Sequence, residues 1–191
     1  MSFRFDLEQV RKVSNCVNYF ETGLFNPQCE VSFKQALLDC NFKTLHSIEI
    51  RKEWVDSGNL IFEKEIKQGK CHIYHDDSTN MSKYLDNPVF KEKTLFFLDA
   101  HVDSPKIHYY RKKCPLFDEL NAISKLERKD NVICVDDIRI IKQAFPWGER
   151  SYGNIDFLSQ IKEKISTINS NYTFSTLRGH VEDDVLIAYI P

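Results

Sequence analysis

The chain is poor in glycine, with six in 191 residues and none in a G-x-G-x-x-G arrangement. A dinucleotide site uses those glycines to bring the backbone against a pyrophosphate, so the usual nicotinamide or flavin dinucleotide site is excluded. It also lacks a C-x-x-C pair, although it holds six cysteines, Cys16, Cys29, Cys40, Cys71, Cys114 and Cys134. Zinc clusters and paired redox thiols are built on that spacing, and a core-rich chain of this length needs no disulfide staples. Cys134 sits in the apolar run Val132-Ile133-Cys134-Val135, so the thiols are expected to be reduced and packed as small hydrophobes. No window approaches the about 18 consecutive apolar residues of a membrane span. Net charge is −2 and the longest basic run is Arg111-Lys112-Lys113, too little to attract nucleic acid or an anionic membrane. Met1 to Glu8 carries charges where a signal peptide is apolar. A soluble, cytoplasmic protein is therefore expected. No repeat, low-complexity tract or Pro/Gly-rich linker interrupts residues 1–191, so one domain is expected.

What the chain does have is an alternation of short apolar runs with helical periodicity, the pattern of an α/β protein with a mostly parallel sheet. Leu7, Val10 and Val13 mark a leading helix over 5–15, and Cys16 to Phe20 reads as a first strand ending at Glu21-Thr22-Gly23. Phe33, Ala36, Leu37 and Cys40 recur at i, i+3, i+4 and i+7, one helix face. A second strand spans 43–49, a helix about 52–67, and a third strand 71–75. After a short helix near Met81 to Leu85, Thr94-Leu95-Phe96-Phe97-Leu98-Asp99 has the continuous apolar character of a central strand buried on both faces. Pro115 begins a helix carrying Leu116, Leu120 and Ile123, and Asn131 to Asp136 is a fifth strand. Asn154 could cap a helix striped by Ile155, Leu158, Ile161, Ile165 and Ile168. Tyr172 to Leu177 and Val185 to Ile190 read as a closing antiparallel hairpin.

Ligands of open α/β sheets bind beyond the carboxyl ends of the strands. Carboxylates recur there: Glu21, Glu49, Asp77, Asp99, then Asp136 with Asp137. Each alone is an ordinary turn residue, but five successive strands ending this way form a pattern. Glu49 can accept hydrogen bonds from both hydroxyls of a ribose, a device shared by dinucleotide and S-adenosylmethionine sites. The first loop, Glu21-Thr22-Gly23-Leu24-Phe25-Asn26-Pro27, separates the two. Its carboxylate would repel a pyrophosphate and could receive the cationic methionine end of S-adenosylmethionine.

Phe20-Glu21-Thr22-Gly23, Ser47-Ile48-Glu49-Ile50, His75-Asp76-Asp77-Ser78, Leu98-Asp99-Ala100-His101, Cys114 to Leu120 and Val135-Asp136-Asp137 occur in the order seen in class I S-adenosylmethionine-dependent methyltransferases. From about residue 16 onward the chain resembles that family. It is similar to branches that methylate hydroxyls of sugars and other small molecules, including domains of viral and bacterial glycan-building proteins. The resemblance implies a Rossmann-like α/β fold: a seven-stranded, mostly parallel sheet with an antiparallel C-terminal strand between the fifth and sixth, and helices on both faces. It implies S-adenosylmethionine as cofactor, bound by Glu21, Thr22 and Gly23 at the methionine, Glu49 at the ribose, Asp77 and Ser78 at the adenine, and Asp99 nearby. The second and third glycines common in the first loop are absent, and Asp76 stands where glycine is frequent.

In such a fold the fourth and fifth strands are neighbours, about 4.8 Å apart, and Asp99, Asp136 and Asp137 share a small volume. Carboxylates so close repel unless a cation or shared protons neutralise them, and an all-oxygen set suits Mg²⁺, Mn²⁺ or Ca²⁺ rather than zinc. Mg²⁺ or Mn²⁺ is the metal the resemblance implies. The alternative is structural: Asp137 pairing with Arg139 and Asp136 capping the next segment. Asp99 or His101 is the candidate general base. His108 and Tyr109 in one loop, and Arg139, Trp147 and Tyr152 in another, are candidates for holding a small-molecule or glycan acceptor, a deoxyhexose such as rhamnose by resemblance. Each of these side chains could equally anchor its own loop. Two other readings are a domain of this fold that binds without catalysis, and a metal-dependent nucleotide-sugar glycosyltransferase.

Overall fold

The structure, a computed structural model, describes residues 3–29, 31–100, 114–141 and 157–191. Seven strands form one sheet: β1 (Asn18–Thr22), β2 (Thr44–Glu49), β3 (Cys71–His75), β4 (Thr94–Leu98), β5 (Val132–Val135), β6 (Thr173–Leu177) and β7 (Val185–Tyr189). Their order is β3-β2-β1-β4-β5-β7-β6. Strands β3 to β5 pair in parallel through β2, β1 and β4. Strand β7 enters antiparallel between β5 and β6, as the resemblance implies. Strand β4 is buried at every position, in keeping with its apolar run and with its place between β1 and β5 at the centre of the sheet.

Helices cover both faces. On one side α1 (Leu7–Ser14), α2 (Ser32–Asp39), α3 (Lys52–Ile61) and α4 (Glu63–Lys67) lie over Tyr19, Leu45, Leu95, Phe97, Val132 and Cys134. On the other, α5 (Ser82–Leu85), α6 (Leu116–Ser124), α7 (Ile138–Ile141) and α8 (Phe157–Ile168) lie over Phe20, Ile48, Phe96, Leu98, Ile133 and Val135. The alternation along β1, β2, β4 and β5 sends successive side chains to opposite cores, so the central strands read as continuously apolar. Five of the six cysteines are buried in these cores and none forms a disulfide.

Three expectations are corrected. The first strand runs two residues further than its apolar run, so Glu21 and Thr22 lie inside β1. The helix expected over 52–67 breaks at Phe62 (φ −104°, ψ 22°). Phe62 turns inward there and meets the Phe33 ring at 5.6 Å, which divides α3 from α4 without glycine or proline. The segment from Ile138, expected as a loop, begins with the single turn α7, whose Ile138 and Ile141 are buried. The start of the last helix, with Asn154 and Ile155, lies outside the described residues; α8 is described from Phe157 and buries Phe157, Ile161, Ile165 and Ile168.

Candidate functional site

The carboxyl ends of β1, β2, β4 and β5 are stitched together by backbone hydrogen bonds. The Gly23 amide donates to Ile48 O at 2.8 Å, the Asp99 amide to Thr22 O at 3.1 Å, and the Asp136 amide to Leu98 O at 3.2 Å. Gly23 is the tightest point. Its φ is +88°, and a Cβ there would lie 3.0 Å from Asp99 O and 3.1 Å from Ala100 Cα. Only glycine fits this left-handed turn against the end of β4.

Glu49, the last residue of β2, is buried and faces this turn. One carboxylate oxygen accepts the Phe25 amide at 3.0 Å and the other the Arg51 amide at 2.8 Å. Burial pushes its pKa up, while the amides of Arg51 and Phe25 pull the other way. Each carboxylate oxygen accepts more than one hydrogen bond, so Glu49 has capacity for a ribose while fixing the first loop.

Glu21 does not stand in the loop. Within β1 its side chain points to the α2 side of the sheet and is wholly buried. It accepts hydrogen bonds from Tyr19 Oη (2.8 Å), Ser32 Oγ (2.8 Å) and Ser47 Oγ (3.1 Å). Burial raises its pKa to about 7, against the lowering effect of the hydroxyls of Tyr19, Ser32 and Ser47. Its position corrects the expectation of a loop carboxylate: β1 extends through Thr22, so Glu21 braces the start of α2 from beneath. Thr22 is buried beside it, its hydroxyl accepting from the Asp99 amide at 3.3 Å.

After β3, Asp76 receives Asn80 Nδ2 (2.7 Å), the Asp77 amide (2.8 Å), Tyr84 Oη (2.8 Å) and Lys83 Nζ (3.2 Å). Asp77 caps the following 3₁₀ turn by accepting the Thr79 amide at 2.9 Å, and Ser78 is buried. Asp76, where glycine was the expectation, therefore organises the turn that presents Asp77 and Ser78.

The second half of the site is the carboxylate cluster. Asp99, Asp136 and Asp137 offer oxygens that all lie within 4.8 Å of one another, across the ends of β4 and β5. Asp137 sits at φ +61°, a left-handed conformation that aspartate tolerates better than most residues, and its amide donates to Asp136 Oδ1 at 2.7 Å. Burial, and after it the charge of Asp136, raises the Asp99 pKa well above the carboxylate range. Burial, then Asp137, raises that of Asp136. Asp137 Oδ1 is buried and meets the Arg139 guanidinium, whose Nη1 stands 2.5 Å away as an ion pair. Three converging carboxylates, with Asp99 and Asp136 raised in proton affinity, fit a hard divalent cation held by oxygen ligands. The donor set passes that test. The structural alternative is also present in part, since the Asp137–Arg139 pair is real, and Arg139 reaches Asp184 as well.

No family model matches the sequence, and no curated protein matches it. Solved structures do. An O-methyltransferase from Bacillus cereus in complex with SAH superposes with a TM-score of 0.62 at 13% identity, covering 97% of this chain and 79% of the other. The O-methyltransferase TomG of Streptomyces achromogenes, involved in tomaymycin synthesis and solved with SAM, gives 0.59 at 14% identity, covering 96% and 77%. The fold is that of the class I methyltransferases. At these identities the likeness is one of architecture.

In the first loop Phe25 holds a glycine-like φ of +59°, a strain of about 1–2 kcal/mol for a bulky residue. Its half-exposed ring lies against Trp54 of α3 (centroids 4.7 Å apart), and the Arg51 guanidinium covers Trp54 at 4.1 Å. These contacts offset the strain, so the loop keeps its turn without the glycine. Phe25, Arg51, Trp54 and Asp184 were not singled out from sequence. Phe25 carried a signal in its spacing from Gly23; Asp184, last of three acidic residues in a polar turn, carried none. Of the expected site residues, His101, His108, Tyr109, Trp147 and Tyr152 lie outside the described residues.

Proposed function

We propose that the protein is an S-adenosylmethionine-dependent O-methyltransferase that acts on a sugar hydroxyl with the help of Mg²⁺ or Mn²⁺. The observation that carries this reading is the joining of two half-sites on one sheet rim. The Glu49–Gly23 turn suits a ribose, and the Asp99, Asp136 and Asp137 oxygens converge beside it. When bound, the metal would supply Lewis-acid polarisation of the acceptor hydroxyl and S-adenosylmethionine the methyl group.

The chain's residues divide that work. Glu49 accepts from the ribose hydroxyls while holding Phe25 and Arg51. Gly23 and Thr22 leave room and backbone for the methionine portion, and Glu21 supports them through Ser32 and Ser47. Asp77 and Ser78 face the adenine. Asp99, Asp136 and Asp137 would hold the cation, and Asp99 or His101 would accept the proton of the acceptor hydroxyl. Alignment of that oxygen with the methyl supplies much of the acceleration. His108, Tyr109, Trp147 and Tyr152, with Arg139 beside the cluster, are the acceptor-side candidates. Aromatic faces next to polar donors suit a sugar's apolar C–H faces and hydroxyl edges, and a deoxyhexose such as rhamnose, free or in a glycan, is the class proposed.

The test is transfer of labelled methyl from S-adenosylmethionine to a panel of deoxyhexoses, free, nucleotide-linked and at glycan ends, with Mg²⁺ or Mn²⁺ and with chelator. The proposal expects product that disappears on chelation and returns with metal. Full transfer in chelator would contradict the metal role; transfer to phenolic hydroxyls alone would contradict the sugar.

A further inference from the structure

Arg139 is held on two sides. Its backbone amide donates to Asp184 Oδ1 at 3.0 Å, and its Nη1 meets Asp184 Oδ2. Asp184 is itself completely buried, accepts the His180 amide at 3.0 Å, and packs under Gly179, where a Cβ would lie 2.9 Å from Asp184 Cβ. The Ile138 amide also donates to Asp184 O at 2.8 Å. The β6–β7 turn thus fixes Asp184, Asp184 fixes Arg139, and Arg139 delivers its guanidinium nitrogen to Asp137 Oδ1 at 2.5 Å. That oxygen belongs to a residue of the carboxylate cluster.

We propose that Arg139 is a built-in counter-ion of the metal site, anchored by Asp184, which pairs with Asp137 in the metal-free protein and gives up that pairing to the arriving cation. The inference rests on the metal reading and adds to it a residue that sets metal affinity without being a ligand. The chemistry requires such a group. Without any cation, three clustered carboxylates on two adjacent strand ends repel one another, and a fixed positive charge at the rim of the cluster relieves that repulsion. A guanidinium does not lose its charge, and here its Nη1 lies against both Asp137 and Asp184. The Asp137 oxygen cannot serve the guanidinium and a divalent ion fully at the same time. The retained Asp184 contact keeps Arg139 close by when Asp137 turns to the metal, so the exchange needs no large rearrangement. The arrangement exchanges some metal affinity for a metal-free protein that stays folded.

The experiment measures Mn²⁺ affinity by calorimetry and thermal melting in chelator and in saturating Mn²⁺, for wild type and Arg139→Gln. Removing a fixed charge near a divalent ion should tighten Mn²⁺ binding about tenfold. It should also lower the melting temperature in chelator and leave it near the wild-type value in Mn²⁺. A residue that merely braced the fold would lower both melting temperatures together and leave the Kd unchanged or weaker; either result overturns the inference while the metal reading stands. Wild-type protein that binds no Mn²⁺ overturns both. If Arg139→Gln does not fold, Arg139→Lys decides the matter. It keeps the charge, but an ammonium is more strongly hydrated and sits on a more flexible stem than a guanidinium, so it should compete less for Asp137 and Mn²⁺ should bind about threefold tighter; an unchanged or weaker Kd again overturns the proposal.

Discussion

Asp136→Asn changes one oxygen to an amide nitrogen and leaves the volume of the cluster unaltered. The amide oxygen can still accept the Asp137 amide now at 2.7 Å, so the backbone turn is preserved. What is lost is charge. Burial and Asp137 raise the Asp136 pKa from 3.8 to about 7, meaning that the ionised form is disfavoured in the folded chain. At about 1.4 kcal/mol per tenfold, that shift corresponds to about 4 kcal/mol at high pH. Asp99 shares the same repulsion, so about 2–4 kcal/mol is the gain expected for Asn. In a domain of this size, that is about 5–15 °C in melting temperature. The assay is thermal melting at pH 8 and pH 5 in chelator and in Mn²⁺. At pH 8 in chelator Asp136→Asn should melt above wild type, and at pH 5 the gap should narrow because wild-type Asp136 is protonated there. At one thousand times its Kd in Mn²⁺ wild type gains about 4.1 kcal/mol and the variant little, so the variant's lead should be cancelled or reversed. A variant that melts below wild type in chelator at pH 8 would refute the repulsive-cluster reasoning.

Mn²⁺ affinity should rise with pH up to about 7, by as much as about tenfold per unit for each proton displaced, because the cation binds only the ionised carboxylates. In chelator the dependence has the opposite sign. Folded Asp99 and Asp136 hold protons that the unfolded chain releases, so stability should fall as pH rises from the ordinary carboxylate range towards 7. Calorimetry and melting across that range check both slopes. Thiol titration should find one fast-reacting group in the native protein, the exposed Cys29, and six on denaturation; burial pushes the thiols of Cys16, Cys40 and Cys71 up to about 12. Gly23→Ala should destabilise the fold by about 1–3 kcal/mol, from the left-handed turn and the 3.0 Å approach to Asp99 O, and an unchanged urea midpoint would contradict the close-packed rim.

The parts of the fold that were legible in the sequence depend on patterns several residues long. Thr94 to Leu98 reads as a central strand because burial on both faces leaves every position apolar, and the closing hairpin is marked by its polar turn. The carboxylate cluster was legible because strand ends are visible and adjacent strands bring their ends together. Features made by distant partners were not. Glu21 looks like a loop residue until Ser32 and Ser47 arrive from α2 and β2 to satisfy it. Asp184 is indistinguishable from Glu182 and Asp183 in sequence, and only the return of β7 beside β5 brings it to Arg139. The turn α7 is too short for helical periodicity to register, and the break at Phe62 depends on the pocket beside Phe33.

The central claim is that the rim built by Gly23 and Glu49 binds S-adenosylmethionine. Calorimetric titration of S-adenosylhomocysteine in chelator, with wild type and Glu49→Gln, tests it most directly, because Glu49, on β2, is not one of the three clustered carboxylates. The account predicts saturable one-to-one binding to wild type without metal, weakened about tenfold or more by Glu49→Gln through loss of charge-assisted hydrogen bonds, and no binding of NAD. Absence of binding to folded wild type, or equal affinity in Glu49→Gln, would contradict it.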